Sequence, residues 1–504
     1  MILLLSSTLP IILIIFYLLH KTKQPRALTT LPPGPPQLPL IGNLHQLGTV
    51  ADPHIYLYHL AKKYGPIMHM KLGSIPLLVI SSAKLAKQVL KIQDLAFCSR
   101  PNLLGQQKLS YNSCDVGFTP YNEQWREMKK TTRIHLLSNK RVQSYRPIRE
   151  QEIAHMITNI SNCSPLGQEL NLSEMAMAAS IHMVCGIVFG KRYEEGGSEM
   201  KRFLQILEES EVLATSFYVS DYFPTFGLVD KISGRVKRAD VMCKGMDSFY
   251  QELIDEHLDS RSVKKKMDEV EDMLAVLIKL KNDDESSSSG ITWEIIKAIL
   301  MDMILASAGT SPSATIWTMT ALIKAPKVME KLQHEIRSLV GQRGKVDEGD
   351  LPKLPYLKAV INESLRLYPP APLLLPRETI HASILDGYEI RPKTMVYVNA
   401  YAVGRDPEYW ENPAEFIPER FLNSNIDSKG QDFGLIPFGS GRRICPGMSM
   451  GFLTTELMVA NLVYSFDWEL PKGIHAQDLD TNPTGGLVVH KKNALLLVPK
   501  CYGV

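Results

Sequence analysis

The chain has 504 residues, of which 45% are hydrophobic and 22% are charged, and these proportions are ordinary for a globular protein. Its formal net charge of +3 is too small to indicate a nucleic-acid-binding surface. The length permits one to three domains, since large single enzymes reach this size. The seven cysteines form no Cys-x-x-Cys pair and no zinc spacing, which suits a reducing compartment.

The N-terminus departs from this ordinary composition. Residues 2–19 carry no charge, and such a run is near the lower limit of about 17 to 25 residues for crossing a bilayer. Lys21, Lys23 and Arg26 follow at once, which places the C-terminal side in the cytosol. A cleaved signal peptide fits less well, because the basic residues come after the apolar run and no small-x-small cleavage site follows. We therefore expect residues 1–20 to form an uncleaved transmembrane anchor.

Beyond the anchor, the chain changes character twice. Residues 21–39 are basic and rich in proline, which predicts a stiff, extended hinge. In residues 40–504, apolar positions at helical spacing dominate, and short β-branched runs such as residues 77–80 predict strands. Residues 281–290 predict a polar loop between helices of similar character. The sequence thus predicts one mainly α catalytic domain with a minor β component.

Residues 295–320 form a continuous apolar helix pattern with an irregular centre. Pro312 lies in the middle, where proline removes the N–H bond to residue 308 and is expected to kink the helix at a cost of about 3 kcal/mol. Gly309 loosens the same turn.

One cysteine lies in an informative context. The run Phe438-Gly-Ser-Gly-Arg-Arg-Ile-Cys-Pro-Gly447 places Cys445 between glycines, which allow backbone N–H groups to approach the sulfur. Arg443, two residues upstream, can pair with an anionic edge of a cofactor. A thiolate that ligates haem iron requires both features. The alternative is a buried structural cysteine in a glycine-rich turn.

With this run, the chain resembles the cytochrome P450 family. Glu363-Ser-Leu-Arg366 matches the family's E-x-x-R helix, residues 418–421 match its P-E-R-F loop, and residues 32–36 match the proline-rich hinge of its membrane-bound members. The resemblance covers effectively the whole chain and is strongest to plant microsomal A-type (71 clan) enzymes. It implies the cytochrome P450 fold, mainly α with a minor β subdomain, preceded by an N-terminal transmembrane helix.

The resemblance implies a haem b cofactor whose iron is bound by Cys445. It also implies that Arg443, Trp125 and Arg377 hold the haem propionates. Lys129 stands where the family usually has arginine, so its carboxylate contact is expected to be monodentate, and Arg126 is a candidate to compensate. Phe438 and Gly447 complete the cofactor-binding motif. The resemblance also implies a structural role for Glu363, Arg366 and Arg420. In it, the carboxylate of Glu363 bridges the two guanidinium groups behind the haem.

The distal helix departs from the family pattern A/G-G-x-D/E-T-T/S. An ungapped comparison places Ser307 at the usual glycine, Gly309 at the usual acid and Thr310 at the threonine. In oxygenase members, the acid and alcohol relay protons, a contribution of about 10²–10⁴ in rate for a positioned group. We expect Thr310, Ser307 or Ser311 to organise a water chain in place of the acid. A gapped register would instead put Ser311 at the acid and Pro312 at the threonine. Family members commonly carry a widened turn here, so Pro312 could simply accommodate it.

Substrate contacts are implied by the resemblance, and core packing explains the same residues equally well. An apolar, aromatic-lined pocket favours a lipophilic plant specialised metabolite. The candidate pocket residues are Phe118, Ala306, Ala371, Leu373, Leu375 and Gly485.

The resemblance implies a monooxygenase that activates dioxygen with electrons from NADPH–cytochrome P450 reductase, docked on a basic face at residues 126–133. It implies a single-pass protein of the endoplasmic reticulum membrane, in contact with membrane lipid, with its catalytic domain facing the cytosol and with no nucleic-acid partner. The missing acid leaves open dehydration, rearrangement or oxidative coupling. A haem-binding scaffold is a third interpretation.

Overall fold

A computed structural model describes residues 31–48, 50–164, 167–259, 270–284 and 290–503. The predicted anchor, residues 1–20, and the first part of the predicted hinge lie outside these described residues. Within the remainder of the hinge, residues 31–37 have no regular secondary structure and Leu38 forms an isolated β-bridge with Gly42.

The described residues form nineteen α-helices, which make up most of the fold. In chain order they are α1 Leu44–Leu47, α2 Pro53–Tyr64, α3 Ala83–Lys87, α4 Asp94–Phe97, α5 Leu104–Leu109, α6 Glu123–Thr131, α7 Asn139–Ser144, α8 Arg146–Cys163, α9 Leu172–Phe189, α10 Ser198–Thr215, α11 Val219–Tyr222, α12 Leu228–Ile232, α13 Arg235–Leu258, α14 Met273–Asp284, α15 Trp293–Lys324, α16 Pro326–Val340, α17 Pro355–Leu367, α18 Ala400–Val403 and α19 Met448–Ser465. Helix α14 extends into the stretch predicted as a loop from residue 281.

Within the described ranges, nine short strands form three small sheets. They are β1 Ile67–Leu72, β2 Ile75–Ile80, β3 Leu170–Asn171, β4 Arg377–Glu378, β5 Ser383–Leu385, β6 Tyr388–Ile390, β7 Met395–Val398, β8 Phe466–Glu469 and β9 Leu496–Cys501. The largest sheet has the order β1-β2-β7-β4, in which β2 and β7 are parallel and the other pairs antiparallel. A second sheet has the order β3-β9-β8, and β5 pairs with β6. The expectation of a mainly α fold with a minor β part is confirmed.

Helix α15 forms the centre of the fold. It packs against α9 on one side and against α17 and α19 on another, and nearly all of its side chains from Ile295 to Leu322 are buried. A helix that is apolar on all sides belongs in a core. Among the described residues, α9 and α15 are long and apolar enough to span a membrane, but most of each is buried within the fold.

Pro312 does not end the central helix. Helix α15 is continuous from Trp293 to Lys324 with Pro312 inside it. On the preceding turn, Thr310 donates its hydroxyl to the Ala306 carbonyl at 2.7 Å, and on the following turn Thr315 donates to the Ser311 carbonyl at 3.0 Å. Tertiary packing along the whole helix therefore outweighs the local cost of the proline.

Candidate active site

The loop that carries Cys445 requires glycine at two positions. Gly439 and Gly441 have φ of 68° and 71°, a conformation that other residues rarely adopt. A Cβ atom on Gly441 would lie 2.1 Å from the Leu90 carbonyl oxygen, so a side chain there is excluded. Cys445 then donates its backbone N–H to the Phe438 carbonyl at 3.0 Å. This turn directs the cysteine into a cavity.

The cavity has a volume of about 350 Å³ and separates Cys445 from helix α15. Its wall is largely apolar on the side of α15, α9 and the loops that precede β4. The wall includes most of the residues predicted for the site: Phe118, Trp125, Lys129, Ala306, Ser307, Thr310, Ser311, Ala371, Leu375, Arg377, Phe438, Arg443, Cys445 and Gly447.

The environment of the Cys445 thiol favours its neutral form. Burial raises its pKa, while the Gly447 N–H and the charge of Lys129 act in the opposite direction. A Cβ atom on Gly447 would lie 3.9 Å from the Cys445 sulfur, which is an ordinary van der Waals contact. A metal cation bound at the sulfur would make the thiolate the stable form, because a coordinating thiol is deprotonated outright.

Arg443 is buried at one end of the cavity. Its Nε donates to the Cys98 carbonyl at 2.8 Å and its Nη2 donates to the Thr119 carbonyl at 2.7 Å. Burial is the main cause that lowers the pKa of Arg443 to about 9, and the nearby Arg377 contributes to that decrease. Three protein carbonyls, including that of Val116 at 3.4 Å, therefore hold the guanidinium in place, but they do not supply a full opposing charge.

Arg377 and Arg100 lie at the same end of the cavity. Arg377 pairs with Asp94 at 3.2 Å and donates to the Ser440 carbonyl at 3.0 Å. Arg100 donates to the carbonyls of Leu375 and Pro376 at 2.8 Å each. Burial lowers the pKa of Arg100, and the neighbouring arginines lower it further.

These residues fit haem. Arg100, Arg377 and Arg443 converge with Lys129 on one end of the cavity, and Asp94 is the carboxylate paired with this group among the described residues. A crowd of buried cations is stabilised by an anionic ligand, and carboxylates suit guanidinium geometry. Cys445 would hold the iron, and the arginines would hold the propionates.

Trp125 and Lys129 lie beside this cationic group, and each donates to a backbone carbonyl. The Trp125 indole N–H donates to the Val116 carbonyl at 3.0 Å. The Lys129 ammonium hydrogen-bonds to the Arg442 carbonyl, and burial together with Arg443 lowers the pKa of Lys129 to about 8. In this geometry, Trp125 contributes packing at the cavity wall, whereas Lys129 contributes a positive charge and has further N–H donors for a ligand.

Three of the residues predicted to contact the cofactor or the substrate lie off the cavity wall. Arg126 is exposed and pairs with Glu123 at 2.8 Å, so it does not compensate for the lysine at position 129. Leu373 packs with the apolar cluster beside the largest sheet. Gly485 lies against the Ala51 backbone, where an added Cβ would be 2.7 Å from the carbonyl oxygen.

The hydroxyls of the distal helix face the cavity but are engaged locally. Thr310 donates to the Ala306 carbonyl, and Ser307 donates to the Met303 carbonyl. Ser311 also lines the cavity. A hydroxyl that donates to its own helix still offers its oxygen as an acceptor toward the cavity.

Glu363, Arg366 and Arg420 form a group away from the cavity wall. Glu363 and Arg366 are fully buried on α17, and Arg366 donates to the carboxylate from Nε at 2.6 Å and from Nη2 at 2.7 Å. Arg420 donates from Nε at 3.1 Å. The carboxylate therefore bridges two guanidinium groups and fixes the P-E-R-F loop to the helix.

Sequence reasoning missed Asp302, which also lines the cavity. Its carboxylate accepts the backbone N–H groups of Val116 at 2.7 Å and Gly117 at 3.3 Å, so it fixes the loop before α6 to helix α15. Burial and the neighbouring Asp115 raise the pKa of Asp302 well above its usual range. The sequence contained a signal for this role, because an acidic residue within an otherwise apolar helix pattern requires hydrogen-bond partners when it is buried.

Sequence reasoning also missed Arg100 and Val488, which line the cavity from outside the recognised motifs. Leu487, which also lines the cavity, lies in the stretch of residues 484–487 that the resemblance offered as a candidate substrate-contact loop.

Comparisons with known proteins agree with this site. Residues 32–498 match the family model described as Cytochrome P450. The chain is 46% identical to 6,7,8-trihydroxycoumarin synthase of Pastinaca sativa, covering 96% of each chain. It is 45% identical to 5-OH-xanthotoxin synthase of Ammi majus, covering 94% of this chain and 93% of the relative. It is 43% identical to strychnine-11-hydroxylase of Strychnos nux-vomica, covering 96% and 94%.

A solved zebra fish cytochrome P450 with progesterone has a similar fold. The TM-score is 0.74 at 25% identity, and the match covers 89% of this chain and 99% of the other. The cysteine at the cavity, the cationic end of the cavity and these matches lead to one conclusion: the chain belongs to the cytochrome P450 family and is a haem-thiolate monooxygenase of the plant specialised-metabolism type.

Proposed function

We propose that this enzyme is a membrane-anchored monooxygenase that hydroxylates a small aromatic lactone of the coumarin class. The observation that carries the proposal is the position of Cys445, whose sulfur opens into a largely apolar cavity with a cationic end. Bound haem supplies dioxygen activation and transfer of an oxygen atom.

Three parts of the chain divide the remaining work. The arginines at the cavity end orient the cofactor, while Phe118, Ala306 and Leu375 exclude water from the substrate side. Apolar walls with few polar groups select a flat, lipophilic substrate. The hydroxyl of Thr310 is positioned to hold a proton at the distal wall.

The substrate class is supported by relatives and by cavity chemistry together. Relatives at 44–46% identity have names that refer to trihydroxycoumarin and 5-OH-xanthotoxin. A relative at 43% identity is named for hydroxylation of strychnine. The ring system of the substrate therefore differs among relatives of similar identity. A lipophilic aromatic substrate suits the apolar wall to which Phe118, Leu374 and Leu375 contribute.

The proposal includes a single-pass anchor at residues 1–20 in the endoplasmic reticulum membrane and electrons from NADPH–cytochrome P450 reductase. Positive charge follows the apolar run and supports a cytosolic catalytic domain. Arg126 and Lys130 on α6, and Arg133 just beyond its end, are exposed cations, and they suit an acidic reductase surface.

The test combines a spectrum with electron accounting. The purified full-length enzyme should show the thiolate-type carbon monoxide difference spectrum and convert a member of a coumarin panel with one NADPH and one dioxygen per product. Cys445→Ala should lose both, whereas Cys501→Ala in β9 should keep both. Conversion of alkaloids but not coumarins would reject the substrate class.

Gly309 supports a second candidate function, in which the enzyme acts by dehydration or rearrangement. Such an enzyme would turn over without stoichiometric NADPH. The same accounting separates the two, because product formation without NADPH consumption is compatible only with the second.

A further inference from the structure

Gly309 occupies the position where the family pattern has an acid, and a histidine fills the space beside it. A Cβ atom on Gly309 would lie 3.3 Å from Nε2 and 3.4 Å from Cε1 of His490. The further atoms of an aspartate side chain would meet the imidazole ring. The imidazole of His490 and a carboxylate at position 309 would therefore compete for the same space.

The loop that carries His490 is fixed to the distal helix. Ser313 and Trp317, both on α15, donate to the Val489 carbonyl at 2.7 Å and 3.1 Å. The backbone N–H of His490 donates to the Thr484 hydroxyl at 3.1 Å, and that of Val489 donates to the Pro370 carbonyl at 2.8 Å. These hydrogen bonds fix the backbone of Val489 and His490, and they thereby hold the imidazole against Gly309.

The same loop reaches the cavity through two other residues. Leu487 and Val488 line the cavity, whereas Gly309 and the partly exposed His490 lie behind its wall, next to Thr310 in the chain and to Val488 in space. A partly exposed imidazole can exchange protons with bulk water, and a histidine can pass a proton by giving one from one ring nitrogen and accepting one at the other.

We propose that His490 supplies protons to the distal side of the cavity in place of the family's carboxylate, and that Gly309 is the opening that admits its ring. The proton leaves Nε2 for a water beside Thr310, and the other ring nitrogen takes a proton from solvent, so the imidazole returns to its neutral form. The proposal rests on the monooxygenase function proposed above.

The electrostatics around the ring suit this role. Burial lowers the pKa of His490, and no charged group in the described part of the chain contributes to that change. The neighbouring Lys491 directs its ammonium to Asp480 at 3.0 Å and to the Asn493 carbonyl at 2.8 Å. The ring is therefore largely neutral near pH 7, which is the form that relays protons.

The first experiment measures coupling in the full-length enzyme with reductase. His490→Gln keeps size and polarity but cannot relay, so we expect product per NADPH to fall by roughly 10²-fold, at the low end for a positioned proton donor, with peroxide in its place. Substrate affinity, read from the shift of the haem spectrum, should stay within twofold. Gly309→Asp in a His490→Ala background places a carboxylate in the vacated space and should restore at least a tenth of the coupling.

Ser313→Ala is the matched control for loop position. It removes one bond to the Val489 carbonyl and leaves the imidazole intact, so coupling should remain within twofold of the parent enzyme. A loss equal to that of His490→Gln would show that loop position, not ring chemistry, matters, and would overturn the proposal. Failure of the double variant to recover coupling would overturn it as well.

A second experiment does not depend on turnover. Carbon-13 NMR of labelled histidines in the full-length enzyme, in its ferrous carbon monoxide state, identifies the His490 signal as the one missing from His490→Gln. Gly309→Ala should shift this signal, because the added Cβ atom would lie 3.3 Å from Nε2 of the ring. An unchanged signal would reject the Gly309–His490 contact.

The two proposals fail in different ways. A wild-type enzyme that forms no NADPH-dependent product would reject the monooxygenase, whatever the NMR shows. A coupled wild-type enzyme that is indifferent to His490→Gln would reject the proton route alone.

Discussion

The guanidinium carbon of Arg443 lies 3.8 Å from the centroid of the Trp125 indole ring. The two residues come from the cysteine loop and from helix α6, and both converge on the Val116 carbonyl. This stacked pair joins the cysteine loop to α6. An arginine is favoured over a lysine at position 443 because its planar guanidinium can stack on an aromatic ring.

Arg443→Lys should destabilise the enzyme, because a lysine cannot stack on Trp125 while reaching the carbonyls of Cys98 and Thr119. The expected loss is about 1.5–3 kcal/mol, the range for a hydrogen bond to a charged group. Denaturant unfolding measures it, with haem content as a second readout. Arg126→Lys, in an exposed pair, should cost about 0–1 kcal/mol. Equal losses in the two variants would contradict the stacked-pair interpretation.

Glu363→Gln should reduce the stability of the fold more than Arg443→Lys does. The carboxylate is fully buried and also accepts the Ile417 N–H at 2.8 Å, so the change leaves the guanidinium groups of Arg366 and Arg420 without a counter-charge. Breaking a buried ion pair from one side costs about 3–5 kcal/mol. Yield of haem-containing enzyme and unfolding midpoint are the measurements. Glu127→Gln, which removes an exposed pair with Lys130, is the control, and a similar loss there would refute a special role for Glu363.

Acid should destabilise the fold through His54. Burial, with a smaller contribution from Arg405, lowers the pKa of His54 from 6.5 to about 4. Between these values the unfolded chain binds a proton that the folded chain does not, so stability falls as pH decreases from about 7 to about 4. Thermal midpoints at a series of pH values measure the slope.

His54→Gln should reduce that slope, whereas the change of the exposed His59 on the same helix to glutamine should keep it. If the His54 variant retained the wild-type slope, another group would be responsible for the acid sensitivity.

Thr310→Ala should uncouple the enzyme while leaving haem binding intact. The hydroxyl lines the cavity, and its removal should raise peroxide per NADPH by about 10-fold or more, given 10²–10⁴ for positioned proton delivery. Thr318→Ala removes a hydroxyl that makes the same helix bond, to the Ala314 carbonyl at 2.7 Å, on a turn that lies off the cavity wall. Coupling in that control should match wild type, and identical behaviour of the two variants would exclude a relay at Thr310.

The sequence by itself determined the parts of this enzyme that are local. The glycines around Cys445 and the i, i+3 spacing of Glu363 and Arg366 are encoded within a few residues, so their geometry follows from turn and helix rules. The apolar pattern of residues 295–320 likewise sufficed to place the central helix, although its continuity through Pro312 depended on packing.

Only the tertiary structure decided the contacts between distant segments. It placed Arg126 on the surface, brought Arg100 to the cationic end of the cavity, and tied Asp302 to the loop before α6. It also set His490 against Gly309. The physical reason is that burial and charge pairing depend on which surfaces meet in space, and no local spacing rule relates residues that lie far apart along the chain.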